Sequence, residues 1–279
     1  MSATGKRVRL ARILRRGRMI MIPFDDDLIN GPFDGLVDPL GRVREVACHV
    51  DAVLGYRRLL DLYTNEGIAL PFVMNLSAST VRHDHTRKVL VGTVEAALRS
   101  GCDAVAVHVN LSSMFESSML AALGAVGEEC DQAGMPLAAI MYPRREHDGQ
   151  DDNYTALKER GDNAYVELVR HCVRIGVELG ADLVKTQYTG NAETFSSVVT
   201  AAMGVPVVIA GGPKISLGQA LLNAYGAVQA GAAGVCFGRN SYNRSDPAEF
   251  LRLLSSVVHD GKHPDQLGLT LGRAGDARS

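Results

Sequence analysis

Short, nearly all-apolar runs recur along the chain, and most are separated by longer stretches whose apolar residues fall at helical spacing. Eight such runs read as strands: Arg18–Phe24, Val50–Tyr56, Leu70–Ser77, Asp103–Asn110, Pro136–Pro143, Asp182–Tyr188, Val205–Gly211 and Gly234–Asn240. Between them, helical spacing predicts a helix through Leu90, Val94, Ala97 and Leu98 that closes at Gly101. A second covers Ala121–Ala133 and stops at Gly134, and a third runs from Asn163 to Gly180. A fourth carries Leu221, Leu222, Tyr225 and Val228. Strands that are apolar without alternation are buried on both faces, which is the habit of a parallel sheet. Eight strand–helix repeats in about 250 residues predict a single-domain (β/α)8 barrel. A doubly wound open sheet is the alternative, but no Gly-x-Gly-x-x-Gly turn follows the first strand.

Two segments lie outside this rhythm. Residues 1–17 form a basic extension, and Lys6–Arg18 is expected to cap one barrel end or make a subunit contact. Residues 262–279 are polar and are expected to form a mobile tail. The stretch Arg144–Asp162 reads as a long charged loop.

Composition narrows the function. A net charge of −2 gives no basic footprint for nucleic acid or an anionic membrane. No apolar run approaches the ~18 residues of a membrane-spanning helix, and the N-terminus lacks a signal-peptide core, so a cytoplasmic location is expected. Five scattered cysteines without CxxC spacing predict neither a disulfide framework nor a zinc site.

In a barrel, chemistry gathers at the C-terminal ends of the strands. Those ends here carry Asp25, Tyr142, Lys185, Gly211-Gly212-Pro-Lys214 and Gly238-Arg239-Asn240. Counting by twos puts Leu183, Lys185 and Gln187 on one face of their strand. The same count aligns Met21, Pro23 and Asp25, and likewise Ala138, Ile140 and Tyr142. A lysine among apolar neighbours is expected to lose hydration and with it part of its charge, which would make it a nucleophile toward a carbonyl. A solvated strand-end lysine is the plainer alternative. The glycine turns, with Lys214 and Arg239, are placed where barrels hold a phosphate. Asp25–Asp27 reads as a solvated acidic loop or an oxygen-ligand cation site. His108, inside a valine run, reads as a hydrogen-bonded core histidine. The remaining histidines lack metal-ligand spacing, so no metal is assigned.

From about Leu10 to Phe250 the sequence resembles the archaeal-type class I fructose-bisphosphate aldolases and their relatives, the aminodideoxyheptulosonate synthases. The matching segments are Pro23-Phe-Asp25, Gly31-Pro32, His108-Val-Asn110, Met141-Tyr-Pro-Arg144, Val184-Lys-Thr186 with Tyr188-Thr-Gly190, Ile209-Ala-Gly-Gly-Pro-Lys214 and Gly238-Arg239-Asn240. The resemblance implies a Schiff-base lysine at Lys185, a proton-shuttling Tyr142 and an assisting Asp25. It implies phosphate contacts from Gly211, Gly212, Gly238 and Arg239, with Lys214 at the same turn, and no metal or organic cofactor. It also implies a ring-shaped homo-oligomer, a decamer being one size to consider. Where the family carries Asp-His-Gly, this chain has Asp25-Asp26-Asp27, and the added carboxylates suit an acceptor bearing an ammonium. Asp26, Asp27, His108 and Arg144 are therefore the candidate acceptor-binding residues. The expected reaction joins dihydroxyacetone phosphate to aspartate 4-semialdehyde, on the branch leading to aminohydroxybenzoate. Sugar bisphosphate cleavage, transaldol transfer and a non-enzymatic sugar-phosphate sensor are the alternatives.

Overall fold

Valine, isoleucine and alanine dominate the predicted strands, and all eight pair with their neighbours in parallel until the sheet closes on itself. The computed structural model describes residues 3–33, 35–148 and 150–268. The strands are β1 Met19–Pro23, β2 Ala52–Gly55, β3 Phe72–Asn75 and β4 Ala104–Leu111, then β5 Leu137–Pro143, β6 Leu183–Gln187, β7 Val207–Ala210 and β8 Gly234–Cys236. They follow chain order around the ring, and Met19 opposite Gly234 closes it. Most are followed by a helix on the outer surface. The chain is a single-domain (β/α)8 barrel, as the apolar pattern predicts.

Strand alternation sorts the core into two layers. Ile20, Ile22, Val53, Val107 and Val184 point outward and pack under the helices. Met19, Met21, Leu54, Val73, Ala106, Ala138, Ile140, Leu183 and Cys236 point inward and fill the barrel. Polar caps start the outer helices: Asp162 for Asn163–Glu178, Asn191 for Ala192–Ala201 and Ser216 for Leu217–Gln229. Each side chain accepts a bond from an otherwise unpaired amide of the first turn.

The basic N-terminal segment forms a helix, Ala3–Ile13, and caps the N-terminal end of the barrel. Ile13 is wholly buried within the inner layer. The helix is fastened by its cations. Lys6 bonds Asp182 at 2.8 Å and also reaches Asp131, while Arg12 pairs with Asp103 at 3.2 Å. Asp103 and Asp182 stand just before β4 and β6, so the positive stretch is neutralised by the strand starts it covers.

Several local expectations are corrected. The predicted helix through Leu90 begins only at Val94, capped by Thr93, because Val89–Leu90 pairs antiparallel with Ser77–Ala78. That pairing folds the β3–β4 connection back as a strap over the mouth. The helix expected from Ala121 starts at Glu116. The charged loop after β5 holds a small hairpin, Arg145–His147 with Gln150–Asp152, and a short helix, Thr155–Glu159. Part of the expected polar tail, Pro264–Leu267, is a 3-10 turn capped by His263, and residues 269–279 lie outside the described residues. Among the described residues, no helix is long and apolar enough to cross a membrane.

Candidate active site

At the C-terminal mouth the inner layer gives way to a cavity of about 550 Å³. Asp25, Tyr142 and Lys185 all line it, as do Gly211, Gly212, Gly238 and Arg239. The reason is parity. Lys185 continues the inward face of Leu183, and Tyr142 continues that of Ala138 and Ile140. Register places Lys185 between Ile140 of β5 and Val208 of β7. The outward neighbour Thr186 donates to the Met141 carbonyl at 2.9 Å, which fixes β6 against β5 and sets the rotation of Lys185.

Lys185 is buried, only 7% exposed, among the acids of the mouth. Burial pushes its pKa down, but the acids around it oppose burial and the net direction is upward; with the Tyr142 phenol and the Cys236 thiol protonated, Asp25 and Asp26 are the charges that favour the ammonium. The expectation of a depressed pKa is not met: the carboxylates that the sequence puts at the same mouth, Asp25 and Asp26, favour the ammonium and oppose the effect of burial. Burial raises Asp25, with the Lys185 charge opposing. Its carboxylate accepts from Asn75 Nδ2 at 2.8 Å, and Asn75 is held in turn by Ser77 through its Oδ1. Tyr142 is raised by burial, so its phenol is protonated and able to donate. Cys236 stands on the inward face of β8, its thiol pushed up to about 11 by burial.

Asn240 ties the two glycine turns together. Its Nδ2 donates to the carbonyls of Gly211 and Pro213, both at 2.9 Å, and its Oδ1 accepts from the Ile215 amide at 3.0 Å. Gly212 takes the left-handed conformation, φ +64°, that lets this turn close. Backbone amides and the Arg239 guanidinium at one rim make a cradle suited to a phosphate.

Three expected positions are placed differently. Lys214 is exposed and does not line the cavity. Asp27 also stays outside it, with burial and the Asp26 charge raising its carboxyl to about 6. Asp26 does reach the cavity, but its carboxylate accepts from Tyr242 at 2.8 Å and faces Arg239 at 3.6 Å. That puts it on the glycine-turn side, so the acidic loop does not form an acceptor wall. His108 and Arg144 do line the opposite side. The His108 ring is no hydrogen-bonded core histidine: its Nε2 is buried without a partner. Burial holds the ring well below its ordinary pKa, hence neutral.

Sequence reading missed Asn75, His85 and Lys88. Lys88 and His85 sit on the strap, where no periodicity points inward. The only signal was the alternation of Thr86 and Lys88 around Arg87 in an otherwise polar stretch.

The aldolase model described as DeoC/LacD family aldolase matches residues 19–244. A 2-amino-3,7-dideoxy-D-threo-hept-6-ulosonate synthase of Halobacterium salinarum is 37% identical over 99% of this chain and 98% of its own length. A 2-amino-4,5-dihydroxy-6-oxo-7-(phosphonooxy)heptanoate synthase of Streptomyces griseus is 40% identical, covering 87% of this chain and 85% of its own. The crystal structure of an archaeal fructose 1,6-bisphosphate aldolase superposes with a TM-score of 0.80 at 31% identity, over 92% of this chain and 100% of that one. The sequence resemblance, the closed barrel and the lysine at its mouth agree with these matches: the chain belongs to the DeoC/LacD family and is a class I aldolase.

Proposed function

We propose that this aldolase condenses dihydroxyacetone phosphate with L-aspartate 4-semialdehyde. The observation that carries the reading is the meeting of Lys185, Tyr142 and Asp25 in one cavity whose rim holds two glycine turns and Arg239. The substrates are argued from the chemistry of the Streptomyces relative's product. In a 2-amino-4,5-dihydroxy-6-oxo-7-(phosphonooxy)heptanoate, the bond that an aldol reaction forms joins the hydroxylated carbon β to the ketone with the carbon α to it. Cutting there leaves dihydroxyacetone phosphate and an amino acid with a terminal aldehyde, which is aspartate 4-semialdehyde.

Dihydroxyacetone phosphate places its phosphate on the amides of the glycine turns and on Arg239, trading binding energy for orientation. The Lys185 ammonium first gives up a proton, for which the Asp25 carboxylate is the neighbouring acceptor. Its Nζ then attacks the ketone carbon, and water leaves to give the iminium. Tyr142 and Asp25 manage the next proton, removed from the adjacent carbon as the iminium takes up its electron pair to become an enamine. General acid–base help of this kind contributes roughly 10²–10⁴-fold. The enamine carbon attacks the aldehyde, the new alkoxide takes a proton, and hydrolysis of the iminium frees Lys185.

Borohydride reduction in the presence of dihydroxyacetone phosphate, followed by digestion and mass spectrometry, tests this. A reduced donor-sized mass on Lys185, absent in Lys185→Met, is expected. No adduct, with the ketone still binding, would overturn the Schiff-base reading.

A further inference from the structure

The wall of the cavity facing the glycine turns carries two cations, Lys88 and Arg144, neither of which has an ion-pair contact among the described residues. The ring order sets β3 opposite β7 and β4 opposite β8. The glycine turns follow β7 and β8, while Lys88 stands on the strap between β3 and β4, with His108 on β4 and Arg144 just after β5. The two groups therefore face each other across the mouth.

Lys88 is 5% exposed, and its Nζ donates to Ser79 Oγ at 2.5 Å. Among the described residues no carboxylate stands within 4.0 Å of it. Arg144 is held by Asn153 Oδ1 at 2.6 Å and by His85 Nε2 at 3.1 Å, both neutral partners. The His85 ring is kept neutral because burial pushes its pKa down to about 3, with Lys88 and Arg144 adding to the effect. His108, 7% exposed, brings an unpaired Nε2 to the same wall. The carboxylates of the mouth have other contacts: Asp26 with Tyr242 and Arg239, Asp25 with Asn75, and Asp151 with His85 Nε2 at 3.6 Å, so that Asp151 reaches Lys88 and Arg144 only through space, without an ion-pair contact to either. Buried cations without counter-ions are expensive, and two of them on one wall repel each other. An anion between them removes both costs.

We propose that Lys88 and Arg144 form an anion subsite, with His108 contributing a hydrogen bond, and that it takes the carboxylate of the aldehyde acceptor. Lys88 is its specificity-determining residue. The inference rests on the aldol reading above and deepens it. With a phosphate held at β7–β8 and Lys185 and Tyr142 between, an acceptor anchored by a carboxylate at β3–β5 presents its far end, the aldehyde, to the centre. The pKa of Lys88 is in keeping: burial and Arg144 push it down to about 8, the state of a cation awaiting a partner.

Enzyme loaded with one equivalent of dihydroxyacetone phosphate, its Lys185 adduct left unreduced, can be chased with two aldehydes of equal length, succinate semialdehyde, which has a carboxylate, and butanal, which has none; borohydride added last fixes whatever adduct remains, so that it can be counted. In the wild type, succinate semialdehyde should discharge the adduct at far lower concentration. Lys88→Met should raise its half-saturating concentration roughly 10- to 100-fold, as for loss of a charged hydrogen bond, and move that of butanal by less than about twofold on the same scale. Lys88→Arg keeps the charge and should restore most of the preference, which separates recognition from a packing role. Equal response of both aldehydes to Lys88→Met, failure of succinate semialdehyde to discharge the wild-type adduct, or no recovery in Lys88→Arg would overturn the subsite while leaving the aldolase reading intact. Failure of the wild type to form any donor adduct would overturn the aldol reading, and the subsite with it.

Discussion

Asp27 shows how a single carboxylate can work against the fold. It stands in the first turn of the short helix Asp26–Asn30, where a negative charge is favoured by the helix end, yet its Oδ1 is buried with no partner. Burial and Asp26 raise its pKa to about 6. Well below its ordinary pKa of 3.8 both folded and unfolded chains hold the proton, and the residue is neutral for stability. Between there and about 6 the folded state binds more protons than the unfolded one, so stability falls as pH rises. Asp27→Asn should therefore raise Tm at pH 7, with a gain that shrinks as pH falls through 6 toward 4 and vanishes below. Thermal melts of both proteins from pH 3.5 to 7.5 check this, and a gain that grows on acidification would contradict it. At this scale the catalytic candidates were legible because strand parity is rigid: Lys185 and Tyr142 each continue a face begun by buried apolar residues. Asn75 and Lys88 were not. Asn75 looks inert beside Met74 and Leu76, and Lys88 faces inward only because a distant hairpin turns the strap.

The elements obey the same division between local and long-range causes. All eight strands could be read from composition, since their residues are mostly apolar and buried on both faces, with polar residues such as His108 and Lys185 falling toward their C-terminal ends. The stretch around Leu90 could not, because its apolar residues fit helical spacing while their partner, Ser77–Ala78, lies a dozen residues away. Valine-rich segments with a pairing partner take the extended form over the helical one. The seam between β1 and β8 is the element contact with least tolerance. Gly234 sits at φ +145°, and a Cβ there would stand 1.9 Å from the Met19 carbonyl oxygen. That carbonyl is backbone and cannot turn aside without breaking the closing ladder. Gly234→Ala should cost roughly 4 kcal/mol or more, or leave no folded protein at all. Urea denaturation, or soluble yield where unfolding cannot be followed, measures it, and a loss below about 1 kcal/mol would mean that the seam yields.

For the molecule as a whole, the N-terminal helix decides what kind of container the barrel is. The basic composition of residues 6–18 left a barrel cap and a subunit contact both open, and only the tertiary structure identifies Asp103, Asp131 and Asp182 as what the helix docks on. Ile13 reaches the inner layer at the end remote from the cavity. Ile13→Ala should lower stability by about 2–4 kcal/mol through the void it leaves, with borohydride trapping at Lys185 intact in the folded fraction. Loss of trapping in well-folded Ile13→Ala protein would mean that the two ends are coupled. Among the described residues, one end is stoppered by that helix and the interior is filled with side chains, which makes the barrel a cul-de-sac opening at its C-terminal mouth. On the aldol reading proposed above, traffic through it would run in a fixed order. The ketone would reach the lysine at the floor before the aldehyde settles nearer the door, and the finished chain would leave by the way both halves came in. An enzyme short of aldehyde would then not idle empty but wait loaded, with the donor already tethered inside.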